Sequence, residues 1–347
     1  MVYDRPSIPD WRTMVSQEAM MFLPQPVGAN STHAQLSYLM KEYNTVDLLR
    51  KYLPPEYIDL THFFDGSEKA QTFHLYPVGS NTIKTLGNFR VDTRDFCLLM
   101  EDDRPFATSP LSDANVPPID MNDYEWNFPY WEETVYINAM YAMRHGYQLL
   151  RMTFPKTLID KGGRSSPWYK VAASLFAIRF GCRYVFFIDS DAFVAEINVP
   201  LDRILNDFNI GPSSKDPAGK SSPFMLIPRD TLGITDGNTG AFLIYNRGLE
   251  VQEFLSSWWK LPEIRPELQE FYKNGLYEQR VFNEGMRHHK GTSYVLTPMN
   301  FMTSPNGEFV RHYWADWKKR PELFHMEAAR SSVMFLRRLL ASMQEGS

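Results

Sequence analysis

Short runs of apolar residues alternate with helical patterns from about residue 94 onward. Residues 96–100 and 184–188 are apolar at every position, which is typical of parallel strands that are covered on both faces. Between them, residues 166–180 carry apolar positions at helical spacing, and Gly181 follows as a common helix terminator. A strand, a helix and a second strand in this order predict a doubly wound α/β domain.

The alternation of predicted strands and helices continues toward residue 314. Helical spacing and apolar runs are again separated by short polar segments. The further predicted helices cover residues 131–145, 249–259 and 277–287, and the further predicted strands cover 147–153, 224–227, 241–245, 293–296 and 309–314.

We interpret residues 94–320 as one domain, flanked by two terminal regions. Residues 1–93 are a mixed N-terminal extension without a clear assignment, in which a helix is predicted over residues 33–53 before Pro54 and Pro55. Residues 321–347 predict an amphipathic helix docked on the domain.

Composition narrows the class of protein. With 347 residues, of which 44% are hydrophobic, the chain can bury a substantial core. A net charge of −5 argues against nucleic acid as a partner, because phosphate backbones select basic surfaces. No run of about 18 apolar residues occurs, so membrane association is not evident and the chain reads as cytoplasmic. Cys97 and Cys182 lie in hydrophobic stretches, which predicts two buried free thiols.

The strongest chemical signal is the pair Asp189 and Asp191, directly after the apolar run at 184–188. In extended backbone, residues two apart face the same side, about 6–7 Å from each other. Ligands of open α/β sheets bind beyond the carboxyl ends of the strands. Two carboxylates there predict a site for Mg²⁺ or Mn²⁺ together with a phosphate-bearing substrate. Residues 101–103, also acidic, are interpreted as a solvated loop.

Other interpretations of this pair stay open. Haloacid-dehalogenase-like phosphatases also place two aspartates after an apolar strand, and Asp189 would then be the nucleophile. In those enzymes a Thr or Val usually stands where this chain has Phe193, and their motif usually lies near the start of the domain. A nucleotide-sugar binder without catalysis is the third possibility.

Several motifs, in order, resemble glycosyltransferase family 34, which includes fungal galactosyl- and mannosyltransferases and plant xyloglucan xylosyltransferases. A Trp-x-Lys helix leads into an apolar strand that ends in Asp-Ser-Asp-Ala, as in that family. The matching segments are Tyr141-Ala142, residues 144–147, Trp168-Tyr169-Lys170, residues 184–194, residues 238–244, Glu278-Gln279 and Val310-Arg311-His312.

The resemblance implies a fold and an activity. The fold would be GT-A, with a Rossmann-like donor-binding half, a mixed central sheet and a less regular acceptor half. The activity would be retaining transfer of a hexose or pentose from a UDP- or GDP-sugar to a hydroxyl of a glycan, protein or small molecule. Mn²⁺, or Mg²⁺, would be the cofactor. Members typically carry a membrane anchor, so a Golgi location is expected if such an anchor precedes this chain.

The resemblance also implies roles for individual residues. Asp191 would bind the metal directly, Asp189 would bind it through water or hold the donor ribose, and His312 would be the third protein ligand. Gln279 would lie near the anomeric carbon, and Glu278 would hold an acceptor hydroxyl. The remaining residues expected to contact the donor are Asn238, Gly240, Lys170 and Lys318.

Overall fold

A computed structural model describes residues 95–102, 130–152, 154, 159, 163–211, 223–230, 236–288 and 293–314, and the backbone of four short strands before residue 93. The strands are β1 (Lys41–Asn44), β2 (Thr72–Tyr76), β3 (Ile83–Leu86), β4 (Phe89–Asp92), β5 (Phe96–Glu101), β6 (Gln148–Met152), β7 (Tyr184–Ile188), β8 (Ala192–Val194), β9 (Met225–Pro228), β10 (Ala241–Tyr245), β11 (Tyr294–Thr297) and β12 (Val310–His312). The helices are α1 (Tyr130–His145), α2 (Tyr169–Phe180), α3 (Leu201–Asp207), α4 (Leu249–Ile264), α5 (Tyr277–Glu284) and α6 (Met299–Met302). Short 3₁₀ turns cover Ser166–Trp168, Pro266–Tyr272 and Met286–His288.

An eight-stranded sheet forms the centre of the described structure, in the order β1-β2-β6-β5-β7-β10-β9-β11. The strands β6, β5 and β7 are parallel neighbours, and β9 is parallel to β11. Between these groups, β10 runs antiparallel to both β7 and β9. The predicted α/β class with a mixed central sheet is therefore confirmed.

The sheet is buried on both faces, which explains why its central strands are apolar at every position. On β7, Phe187 packs into one core with helices α2 and α4, whereas its neighbour Phe186 packs into a second core with helix α1. Successive side chains of a strand point to opposite faces, so the continuous apolar run supplies both cores.

Most elements between residues 96 and 312 match the predicted ones, with differences at their ends. Gly181 ends α2 in the left-handed conformation, with a φ of 113°. Helix α4 continues to Ile264, with Pro262 inside it, beyond the predicted end at residue 259. Helix α5 stops earlier than predicted, at Glu284, and Gly285 follows. Element types follow from the apolar period, while ends depend on local contacts.

The helix predicted over residues 33–53 is wrong where the structure describes it. Lys41–Asn44 is strand β1, which pairs antiparallel with Thr72–Tyr76. Strand β2 in turn pairs with β6, so this N-terminal segment extends the central sheet. Hydrogen bonding to a sheet edge outweighs a weak helical propensity.

The prediction of two free thiols is also wrong. Cys97 in β5 and Cys182, two residues before β7, form a disulfide, with their Cα atoms 5.8 Å apart. Strands β5 and β7 are parallel neighbours, and Cys97 stands opposite Val185. This pairing brings together two cysteines that are 85 residues apart in the chain.

Some predictions remain untested. The domain limits at residues 94 and 320 stay predictions, and both Lys318 and the helix over residues 321–347 lie outside the described residues. Among the helices that the structure describes, none is long and apolar enough to cross a membrane.

Candidate functional site

The acidic pair lies in a tight turn at the carboxyl end of the central strand β7. The amide of Asp189 donates to the carbonyl of Gly240 over 2.7 Å, which ties the turn to the start of β10. The amide of Ala192 donates back to the carbonyl of Asp189 over 3.0 Å and starts β8. As predicted, the two carboxylates therefore lie beyond a buried strand end, where α/β sheets bind ligands.

His312 reaches this turn through a two-stranded sheet. Strand β12 pairs antiparallel with β8, and His312 stands opposite Ala192. Its Nε2 lies 3.1 Å from Asp191 Oδ1 and 3.9 Å from Asp189 Oδ2. The structure thus brings together the three residues expected to hold a metal, although His312 is more than 120 positions away in sequence.

These three side chains form a group that could hold a divalent cation. One ligand atom from each of Asp189, Asp191 and His312 lies within 4.8 Å of the others. Two carboxylates and one imidazole are a donor set that first-row divalent metals accept. The imidazole is 3% exposed, and its other nitrogen, Nδ1, has no hydrogen-bond partner within the described structure. The chemistry of the set therefore fits a metal ion.

A buried lysine lies behind the acidic pair. Lys170, in the first turn of α2, is 4% exposed, and its Nζ lies 2.9 Å from both Asp189 Oδ1 and Glu278 Oε1. It also donates to the carbonyl of Thr239 over 3.3 Å. The ammonium thus joins the metal-binding turn to α5 and to the segment before β10.

The predicted catalytic pair is buried at the start of α5. Both side chains accept hydrogen bonds from Thr239. Its hydroxyl donates to Glu278 Oε1 over 2.8 Å, and its amide donates to Gln279 Oε1 over 3.0 Å. The side-chain amide of Gln279 donates to Asp230. Adjacent residues of a helix do not share a face, yet both of these side chains approach Thr239. They lie in the first helical turn, where side chains can reach toward a segment that faces the end of the helix.

Asn238 and Gly240 fill structural roles beside the turn. Asn238 is 6% exposed, and its side-chain oxygen accepts from the amide of Gly240 over 2.9 Å. A Cβ at Gly240 would lie 2.6 Å from His312 Nδ1. The absent side chain makes room for the imidazole of His312. Contact of either residue with a donor stays a prediction.

Burial and charge shift the ionisation of this cluster. Burial raises the pKa of Asp189 to about 6, against the opposing effect of Lys170 and with the charge of Asp191 adding to the rise. Burial also acts to raise the pKa of Asp191, but contact with His312 holds it below its usual range. For Lys170, burial acts to lower the pKa, and the two carboxylates outweigh it, so the pKa lies above its ordinary value.

The sequence pattern missed several acidic residues of this region. Asp230, which accepts from Gln279, follows the apolar strand β9 by two residues and is 8% exposed. An acidic residue just past an apolar strand was the available signal, the same one that identified Asp189. Glu101 and Asp102, interpreted as part of a solvated loop, are each 6% exposed. Glu101 is the last residue of the central parallel strand β5 and Asp102 follows it, and neighbouring elements enclose this end of the strand.

Comparison with known proteins finds remote structural similarities. No protein-family model matches the chain, and no curated protein matches it. A glycosyltransferase involved in the glycosylation of the major capsid of PBCV-1 is 14% identical, with a TM-score of 0.42, over 66% of this chain and 98% of that one. The glycosyltransferase GlyE of Streptococcus pneumoniae TIGR4 is 12% identical, with a TM-score of 0.42, over 71% and 63%. Mouse xyloside xylosyltransferase 1 is 11% identical, with a TM-score of 0.35, over 59% and 85%.

Proposed function

We propose that this chain is a metal-dependent, retaining glycosyltransferase of the GT-A type. It moves a sugar from a UDP- or GDP-sugar to a hydroxyl group of a glycan, a protein or a small molecule. The observation that carries the proposal is the convergence of Asp189, Asp191 and His312 within 4.8 Å at the carboxyl edge of the central sheet. The motif order that resembles family 34, and a mixed sheet of the kind that resemblance implies, support it.

The proposed metal is Mn²⁺. Carboxylates suit Mg²⁺ and Mn²⁺ alike, whereas an imidazole nitrogen favours the softer of the two ions. Asp191 and His312 would bind the ion directly, and Asp189 would bind it through water or hold the donor ribose. When bound, the ion offsets the negative charge of the donor diphosphate and of the leaving group.

The chain's own residues would hold the donor and the acceptor next to the metal. Gln279 is held at both ends of its amide, by Thr239 and by Asp230, which supports a fixed position near the anomeric carbon. Glu278 would hold the acceptor hydroxyl. Lys170 fixes the positions of Glu278 and Asp189 relative to each other through its two ion pairs. The remaining proposed donor contacts are Asn238, Gly240 and Lys318.

A donor screen tests this function. The purified chain is incubated with UDP- and GDP-sugars and Mn²⁺, and release of the nucleoside diphosphate by slow hydrolysis is measured. Asp191→Asn should abolish this release and keep the fold, because it removes the charge of a ligand without changing its size. Asp207→Asn is the matched control, since Asp207 forms an exposed ion pair with Arg203, and such pairs contribute little.

Three other results would overturn the proposal, the first two of them from separate assays of the same purified protein. Release of inorganic phosphate from an aryl phosphate, without binding of any nucleotide sugar, would support the phosphatase that uses Asp189. Binding of a nucleoside diphosphate without turnover of any donor and acceptor pair would support a non-catalytic binder. Normal turnover by folded Asp191→Asn would reject the metal-dependent mechanism.

We also propose that the protein works in an oxidising compartment. The disulfide between Cys97 and Cys182 supports this, because disulfides persist in secretory compartments and are rare in the cytosol. The proposal replaces the cytoplasmic interpretation of the sequence. To test it, the protein is denatured without reductant, treated with an alkylating reagent and analysed by mass spectrometry. Alkylation of both cysteines would contradict it.

A further inference from the structure

Helix α1 presents two buried polar side chains, one turn apart, to the metal-binding turn. Thr134 and Asn138 are both 0% exposed. The Thr134 hydroxyl donates to the carbonyl of Ser190 over 2.8 Å, and the carbonyl of Trp131 in its own helix lies farther away, at 3.1 Å. Ser190 stands between the two aspartates, so this bond fixes the backbone of the Asp-Ser-Asp turn.

Asn138 holds the next part of the same segment. Its side-chain NH₂ donates to the carbonyl of Ala192 over 3.1 Å, and its side-chain oxygen accepts from the amide of Val194 over 3.0 Å. A carbonyl and an amide two residues apart on one edge of a strand are the groups that a neighbouring strand would engage. The Asn138 amide thus takes the place of a strand partner for β8.

The other edge of β8 is occupied by the strand that carries His312. The amide of Tyr313 donates to the carbonyl of Asp191 over 3.0 Å, and the amide of Ala195 donates to the carbonyl of Phe309 over 2.8 Å. Residues 192 and 194, which alternate with these, direct their backbone groups the opposite way, toward α1. Strand β8 is therefore held between β12 on one edge and Asn138 on the other.

We infer that Thr134 and Asn138 are positioning residues for the metal site. They set the backbone from Ser190 to Val194, and through the pairing of β8 with β12 they also set the distance between Asp191 and His312. This inference rests on the proposed function, since it concerns the same metal. A metal site tolerates little displacement of its ligands, because ligand groups must be held within about 0.5 Å of the productive geometry.

The test is Mn²⁺ affinity of the full chain, measured from the electron paramagnetic resonance signal of free Mn²⁺. Thr134→Val keeps the shape of the side chain and removes the hydroxyl, and we expect its affinity to fall about tenfold, the range seen when groups that orient metal ligands are removed. Thr134→Ser keeps the hydroxyl and should restore the affinity to near that of the wild type.

Thr303→Val is the matched control. Thr303 is also 0% exposed, and its hydroxyl has no hydrogen-bond partner among the described residues. This control measures the effect of the same substitution in the core without loss of a positioning bond. Equal Mn²⁺ affinity in Thr134→Val and Thr303→Val would overturn the inference.

Asn138→Ala gives a second measurement, and we expect a loss of affinity at least as large as in Thr134→Val. If Asn138→Ala does not fold, the comparison of Thr134→Val with Thr134→Ser and Thr303→Val still tests the positioning role. Absence of Mn²⁺ binding in the wild type would reject the metal site and the proposed function with it. Binding by the wild type that the Thr134 variants leave unchanged would reject only the positioning role.

Discussion

The imidazole of His312 packs directly on the backbone of Gly240. A Cβ added to Gly240 would lie 2.6 Å from Nδ1 and 2.8 Å from Nε2 of the ring, closer than non-bonded atoms can approach. The same Gly240 accepts a hydrogen bond from the amide of Asp189 over 2.7 Å. One residue without a side chain therefore lets the histidine and the acidic turn lie side by side.

Gly240→Ala should displace His312 and weaken Mn²⁺ binding by about tenfold or more, since loss of ligand orientation costs that much in comparable sites. The measurement is Mn²⁺ titration of folded protein. Gly285→Ala is the control, because a Cβ there would meet Leu261 in the hydrophobic core. The control should lower the melting temperature and leave Mn²⁺ affinity unchanged. Similar Mn²⁺ affinity in both variants would contradict the role of Gly240.

The buried ion pair of Lys170 and Glu278 should be sensitive to loss of one partner. Lys170→Met leaves a buried carboxylate without its cation, so we expect the free energy of unfolding to fall by about 3–5 kcal/mol. The double variant Lys170→Met/Glu278→Gln should be more stable than Lys170→Met, because no unpaired charge remains at position 278. Urea unfolding measures both.

An exposed ion pair provides the control for that cycle. Arg203→Met removes the partner of Asp207 on the surface and should lower the free energy of unfolding by less than about 1 kcal/mol. Two results would contradict the role of the buried pair. In the first, Lys170→Met lowers the free energy of unfolding no more than Arg203→Met does. In the second, the double variant is no more stable than Lys170→Met.

Mn²⁺ affinity should depend on pH through Asp189. Burial raises the pKa of Asp189 to about 6, and only the deprotonated carboxylate binds a cation. Protons therefore compete with the metal below that pH, and affinity should be about tenfold weaker at pH 5 than at pH 7 from this one group. Titration at both pH values measures it. Asp189→Asn should reduce the dependence, and equal wild-type affinity at both pH values would count against the shifted pKa.

The product should keep the α configuration of an α-linked donor. Gln279 is a poor nucleophile and no base, and the carboxylate of Glu278 is ion-paired with Lys170, so the leaving phosphate oxygen would take the acceptor proton on the same face of the sugar. The anomeric coupling constant in the NMR spectrum of the product measures the outcome, and a β product would reject retention. A second comparison separates the routes. Complete loss of activity in Glu278→Gln, with only partial loss in Gln279→Ala, would favour a covalent intermediate on Glu278.

The sequence by itself determined the central sheet and the acidic pair. Strand β7 and the helix before it could be predicted from the spacing of apolar residues and from Gly181 as a helix terminator, which are local properties of the chain. Asp189 and Asp191 could be placed at a ligand-binding edge, because every parallel strand of such a sheet directs its carboxyl end to the same side. The identity of β1 as a strand did not follow, since its hydrogen bonds come from Thr72–Tyr76, far along the chain.

Only the tertiary structure decided which distant residues meet. The disulfide of Cys97 and Cys182 depends on the parallel pairing of β5 with β7. The Lys170–Glu278 pair joins two helices that are more than 100 residues apart in sequence. Asn138 acquires its role because α1 packs against the free edge of β8. Periodicity specifies which face of each element is buried, but it carries no information about which element covers that face.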